Sequence, residues 1–239
     1  MEDSSYRNFI ILGLAIFLGL AVLGYLVSDA AIEIKQYERT VTVKGLSEQE
    51  HPADIVIWPI RFTEASNTLE DIYVSLENSS AVIRSFLVDQ GISEDEISTD
   101  SPVVTDKSAQ RYGGEGDPEF RYVATQTVTV YSRDVDQVRT IMRGLAELGK
   151  QGIALGAEDY QVQTEYLFTR LNEIKPQMIE EATMEAREVA NKFAEDSNSR
   201  LGKIKTATQG QFSISPRDNN NPHIKNIRVV STVVYYLSD

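Results

Sequence analysis

Three hydrophobic rhythms divide the chain. From Phe9 to Val27 it reads FIILGLAIFLGLAVLGYLV, an apolar run with no charge. At about 1.5 Å of rise per residue such a run spans roughly 28 Å, close to the hydrocarbon thickness of a bilayer. A buried helix in so small a protein is rarely apolar on every face. The pattern therefore predicts a transmembrane anchor over 9–27, flanked by a tail at 1–8 and a connector at 28–36. The competing reading is a cleaved secretory signal, which has a basic head, a run of about 7–15 apolar residues and small residues before the cut. Ser28 and Ala30 supply such a small-x-small site. The longer run, and a head carrying Glu2 and Asp3 against Arg7, favour a retained anchor. Arg7 on one side and Lys35, Arg39 and Lys44 on the other leave the positive-inside rule nearly silent. Either reading delivers the following domain to the far side of the membrane.

Beyond the connector the rhythm alternates between two and 3.6. Tyr37–Lys44 and Ile55–Phe62 read as strands, with Val56, Trp58, Ile60 and Phe62 on one face and Pro59 pushing toward an edge or bulge. A helix is expected from Asn67, capped by its own side chain with Glu70 three positions on, and closed at Gly91 in a left-handed conformation. Its predicted face is Leu69, Ile72, Tyr73, Leu76, Ile83, Phe86 and Leu87. Strands follow near Ile97–Thr105 and Arg121–Ser132, around a polar, Gly-rich loop at Asp106–Phe120. A helix from Asp134 to Leu148 bridges to a second strand–helix–strand–strand group. That group comprises Tyr160–Phe168, a helix over Lys175–Glu195, Lys203–Phe212 and Ile227–Leu237. The expected architecture is α+β, a mostly antiparallel sheet with helices on one face. Its soluble domain, 37–239, has two repeated halves at about 37–133 and 159–239, joined by the helix at 134–148. In the long helix Ala182, Ala186, Ala190 and Ala194 recur every fourth residue, interleaved with Met178, Val189 and Phe193, which predicts close approach by a neighbour.

Composition narrows the chemistry. There is no cysteine, so disulfides, thiol catalysis and zinc–thiolate sites are excluded. A net charge of −13 with scattered lysines and arginines argues against nucleic acid, which needs clustered cations to release counterions. The two histidines, His51 in EQEHPAD and His223 in DNNNPHIK, belong to no metal-binding pattern and are expected as exposed loop residues. No nucleophile elbow and no phosphate-cradling glycine loop appears; Tyr112–Asp117 is Gly-rich but has no helix after it. Glu115, Asp117 and Glu119, or Asp218 with Asn219, Asn220 and Asn221, offer oxygen ligands without EF-hand spacing, and solvated loops explain them better. Asn78–Ser80 fits a glycosylation sequon but falls inside an expected helix. No catalytic, cofactor-binding or metal-binding residue is assigned, and no cofactor is expected.

Several segments together resemble the SIMPL-domain family of bacterial envelope proteins. They are Thr40–Gly45 (TVTVKG), Ala53–Trp58 (ADIVIW), Gly91-Ile92 ahead of Ile97-Ser98-Thr99, Tyr122-Val123-Ala124, and the alanine row leading to Leu201-Gly202-Lys203-Ile204. The resemblance covers roughly Tyr37 to Leu237. It implies an α+β domain in the periplasm or held at the inner membrane, a tendency to homo-oligomers, a loose link to oxidative-stress defence, and no established catalytic residues. The leading expectation is a non-enzymatic, single-pass protein anchored in the inner membrane through 9–27, its C-terminal domain periplasmic and self-assembling. The exposed positions of Ile55 and Ile57 are expected to supply the oligomer contact. Two alternatives are a periplasmic binding module for a small ligand, peptide or cation, and a carboxylate-based hydrolase.

Overall fold

A computed structural model describes residues 2–36, 39–109, 119–156 and 163–238. Helix α1 (Glu2–Gln36) is longer than the expected anchor. Residues 28–36, read as a connector, and 2–8, read as a tail, are helical with it. Nothing between Ser28 and Gln36 is a glycine or proline, and Ala30-Ala31 favours helix, so no signal stops propagation. Within α1, Ile11–Ile32 has a mean hydropathy of 2.4 and is long and apolar enough to cross a membrane.

The chain divides into two compact units, α1 counting with the first. The first comprises Met1–Glu48, Lys175–Ser213 and Arg228–Asp239, and the second Gln49–Ile174 and Ile214–Ile227. Their elements, in chain order, are β1 (Thr40–Pro52), β2 (Ile55–Ser66), α2 (Leu69–Asp89), β3 (Ile97–Thr99), β4 (Val103–Asp106), β5 (Tyr122–Ser132), α3 (Val135–Met142), α4 (Ala146–Lys150), β6 (Glu165–Leu167), α5 (Leu171–Asp196), β7 (Arg200–Gln209), β8 (Ser213–Pro216) and β9 (Ile224–Ser238).

In the second unit the sheet order is β3-β5-β2-β6, with β4 also on β5. The β2–β5 ladder runs from Val56↔Ser132 to Ser66↔Tyr122. Val56, Trp58, Ile60 and Phe62 point into the core, as their alternation requires, and meet Ile72, Leu76, Ile83 and Leu87 of α2. Leu69 and Tyr73, expected on that face, are exposed. The strand expected over 97–105 is broken in two around Pro102, which has no N–H to give a ladder. The bridging helix is also two pieces, α3 and α4, separated by a turn through Gly144. Asp134 caps α3 by accepting from Gln137 N–H at 2.9 Å.

Helix ends follow one rule. Gly91 (φ +92) closes α2 with Ile92 N–H on Leu87 O at 3.0 Å and Gly91 N–H on Val88 O at 2.9 Å. Gly152 (φ +87) and Asn198 (φ 52) do the same for α4 and α5. These are paired 6→1 and 5→2 hydrogen bonds that need a left-handed residue, which glycine or asparagine adopts at least strain. The start of α2 lies one residue beyond expectation. Thr68, not Asn67, accepts from Asp71 N–H at 3.2 Å, and Asn67 instead accepts from Arg121 N–H at 3.0 Å.

In the first unit the order is β1-β9-β7. Leu237 N–H donates to Arg39 O at 2.9 Å. The inward face of β9 meets α5, where Val43, Ala186, Ala190, Val233 and Tyr235 form the core. Every alanine of the row is buried, as its spacing predicts, while Phe193 is exposed. Gly45 of β1 is the reason. A β-carbon there would lie 1.8 Å from Ala182 O and 2.5 Å from Ala186 N, so strand and helix backbones touch. Glu181 and Glu185 fasten the contact: Ser47 Oγ donates to Glu181 Oε2 at 2.8 Å, and Leu46 N–H donates to the Glu185 carboxylate.

The expected halves are thus interleaved. Strand β1, counted with the first half, sits in the sheet of α5, and β6, counted with the second half, pairs with β2 through Ile55↔Leu167 to Ile57↔Glu165.

Candidate functional site

The second unit gathers polar groups where the end of β1, the start of β2, β6 and the β8–β9 hairpin converge. Ala53 N–H donates to His223 O at 2.8 Å, and Asp54 N–H to Leu167 O at 2.8 Å. Asp54 has a largely buried carboxylate that accepts from Thr169 N–H at 3.0 Å, Thr169 Oγ at 3.2 Å and Arg170 Nε at 3.2 Å. With so many donors it is a brace for the segment after β6, not a free base.

Both histidines are half-buried here, contrary to the expectation of exposed loops. His51 lies within β1, which runs on to Pro52, and its ring sits 5.4 Å from that of Phe168. Its Nε2 lies 3.0 Å from Gln49 Oε1. His223 makes an edge contact with Tyr166 at 6.1 Å. Its pKa is pushed below the ordinary value by burial and, next, by the nearby Arg139 guanidinium. The two imidazoles therefore flank the β6 segment and are held by aromatic neighbours.

The acidic hairpin turn also has a structural job. Asp218 accepts from Arg217 Nε at 2.9 Å and from the N–H groups of Asn220 and Asn221 at 2.9 and 2.8 Å. Arg217 reaches Glu50 at 3.5 Å as well. The arginine, followed by Asn221, holds the Asp218 carboxyl down at about 2. Its oxygens are occupied, which agrees with a braced loop rather than a calcium site. Among the described residues no group of three or more histidine, aspartate or glutamate side chains is placed to hold a metal ion. Glu115 and Asp117 lie outside the described residues. The sequon is inside α2, where Ser79 Oγ donates to Glu64 Oε1 at 2.6 Å.

Next to this turn opens a cleft of ≈ 620 Å³, lined in nearly equal measure by apolar groups (Met142, Tyr166, Leu167, Pro216 and Pro222) and by polar ones, Lys225 among them. Lys225 occupies an inward register position of β9: it alternates with Ile227, Val229, Ser231, Val233 and Tyr235, all buried. The side chain is only 8% exposed. Burial lowers its pKa, and the Glu165 carboxylate opposes that shift. Sequence reasoning missed this residue by two positions. It began the last strand at Ile227 and left Lys225 in the turn, where a lysine attracts no notice. The extended alternation was the available signal.

A second, shallower cleft of ≈ 490 Å³ runs along α2 past Tyr73, Arg84 and Pro102. Glu77 and Arg84 are its charged members among the described residues, and Arg84 faces Glu94 at 3.9 Å. Neither cleft juxtaposes a nucleophile with a base among the described residues.

The model of one protein family, SIMPL, described as a protein of unknown function (DUF541), matches residues 41–231. No curated protein matches the chain.

Proposed function

The chain belongs to the SIMPL family, and from that premise we propose a non-enzymatic, membrane-anchored envelope protein whose α+β domain works in the periplasm as a homo-oligomer. The observation that carries the anchoring is Ile11–Ile32: none of this apolar stretch is buried within the chain. Leu14, Phe17, Leu20 and Leu23 are each more than half exposed, which water does not tolerate and a bilayer does. The inner membrane is then the partner of this helix, and the domain beyond it lies on the periplasmic side.

Support for assembly comes from a different place than the sequence indicated. Ile55 is buried within the chain and Ile57 half-buried, which leaves little of either for a neighbour. The first unit's sheet has α5 against one face, while Val230, Val234 and Tyr236 of β9 alternate onto the other. A second copy covering that face would bury them. The link to oxidative-stress defence rests on family resemblance. A second reading, a periplasmic binding module, draws support from the cleft at Lys225.

Full-length protein made in bacterial cells should stay with the membrane through carbonate and high-salt washing, and elute from mild detergent at a multiple of the chain mass. Mature protein beginning at Ala31 would replace the anchor by a cleaved signal. A monomer mass at every concentration would remove the assembly.

A further inference from the structure

A lysine on the inward face of a strand is an anomaly that calls for a partner. Every second residue of β9 from Ile227 to Tyr235 is buried and uncharged. Lys225 continues that series with an ammonium, yet no hydrogen bond or ion pair joins it to another described residue; Glu165 acts on it only at longer range. The ammonium of so enclosed a residue has only the cleft to turn to for water or a counter-charge. The side chain lines a cleft whose size falls within the range of small-molecule sites.

The walls and the neighbouring charges identify the class of ligand. Met142, Tyr166, Leu167 and two prolines give the cleft an apolar part beside a polar one, so a bare inorganic ion would leave the apolar part unfilled. Lys225 is the one cation among the described lining residues. Asp218, which also borders the cleft, already spends its carboxylate on Arg217 and the Asn220 and Asn221 amides. Glu165 at the rim repels any second negative charge on the ligand. One ammonium, a partly apolar lining and acidic neighbours select a single negative charge attached to an apolar group.

We propose that the cleft at Lys225 is a binding site for a monocarboxylate with an apolar body, the carboxylate paired with the Lys225 ammonium. This rests on the binding-module reading and is independent of anchoring and assembly. Pairing would also oppose the effect of burial on the lysine, since an adjacent anion favours the protonated amine.

The test is amine acylation of full-length protein in mild detergent, read residue by residue by mass spectrometry. Phenylacetate is the probe, and phenylethylamine and inorganic phosphate are the counter-probes. Phenylacetate at about ten times its Kd should slow labelling of Lys225 about tenfold by mass action, while exposed Lys192 and Lys203 keep their rates. Calorimetric binding should be lost in Lys225→Met and weakened but detectable in Lys225→Arg. No protection of Lys225 by any of the three overturns both the proposal and the binding-module reading of this cleft. Protection by phosphate or phenylethylamine but not phenylacetate overturns the carboxylate and leaves a binding module. Should Lys225→Met fail to fold, the labelling of the unaltered chain decides alone.

Discussion

The two units solve the same packing problem with opposite materials. In the second unit, large side chains fill the space between sheet and helix: Phe62, Ile72, Ile83 and Leu87 are fully buried together. In the first, the helix presents alanines and the strand a glycine, and the backbones themselves make the contact. Apolar area holds one unit together, whereas close approach defines the other. They should therefore fail differently: the second when atoms are removed, the first when atoms are added.

Hydrogen exchange, which reports each unit separately, can break this contrast. The largest effect is expected for Phe62→Ala, about 3–5 kcal/mol, through the cavity it leaves in the second unit. Gly45→Ala should cost about 3 kcal/mol or more, because the atoms it meets are backbone and cannot swing aside. Ala186→Leu belongs to the same class, at about 1–3 kcal/mol. If either first-unit change leaves exchange unaltered, the close contact is not what holds that unit.

Acid should act more gently, and on the second unit. Asp106, paired with Arg121 at 2.9 Å, and Asp218, paired with Arg217, are both held at about 2 against an ordinary 3.8. A carboxyl depressed in the folded state stabilises above its unfolded pKa and loses that contribution as pH falls through the folded one. Exchange in β4 and the β8–β9 turn should rise between about pH 4 and pH 2, and Asp218→Asn should flatten the second response. The smallest effect is expected at Tyr235. Its hydroxyl is buried with no hydrogen-bond partner among the described residues. Tyr235→Phe should be neutral or stabilising by up to about 1 kcal/mol, since it removes an unsatisfied polar group. A loss of stability would reveal a partner for that oxygen.

Local pattern carried the sequence reading as far as local pattern reaches. The alanine row announced its burial because a helix places every fourth residue on one side. The α+β class and the core face of β2 followed from periodicity in the same way. What the alanines would meet was not legible, because the partner, Gly45, lies more than 130 residues away and its lack of a side chain leaves no pattern. The interleaving of the halves was hidden for a related reason: alternation shows that β1 and β6 are strands, not which sheet receives them. At the cleft, the histidines were visible but their aromatic neighbours were not. Lys225 escaped through a strand boundary placed three residues late, the least reliable part of such a reading.

The exchange of β1 and β6 also sets a timetable. A nascent chain emerges from its N-terminus, and β1 follows directly after α1. Its sheet partner, β9, is the last strand made. The large-residue core of the second unit, by contrast, lies wholly between Val56 and Ile153, and can collapse while synthesis continues. Strand β1 therefore waits unpaired while every other strand of both sheets is made. Such a long-range closure slows folding. It also makes β9 a checkpoint: a chain that stops short of it leaves β1 an open edge, a ready target for chaperones and proteases.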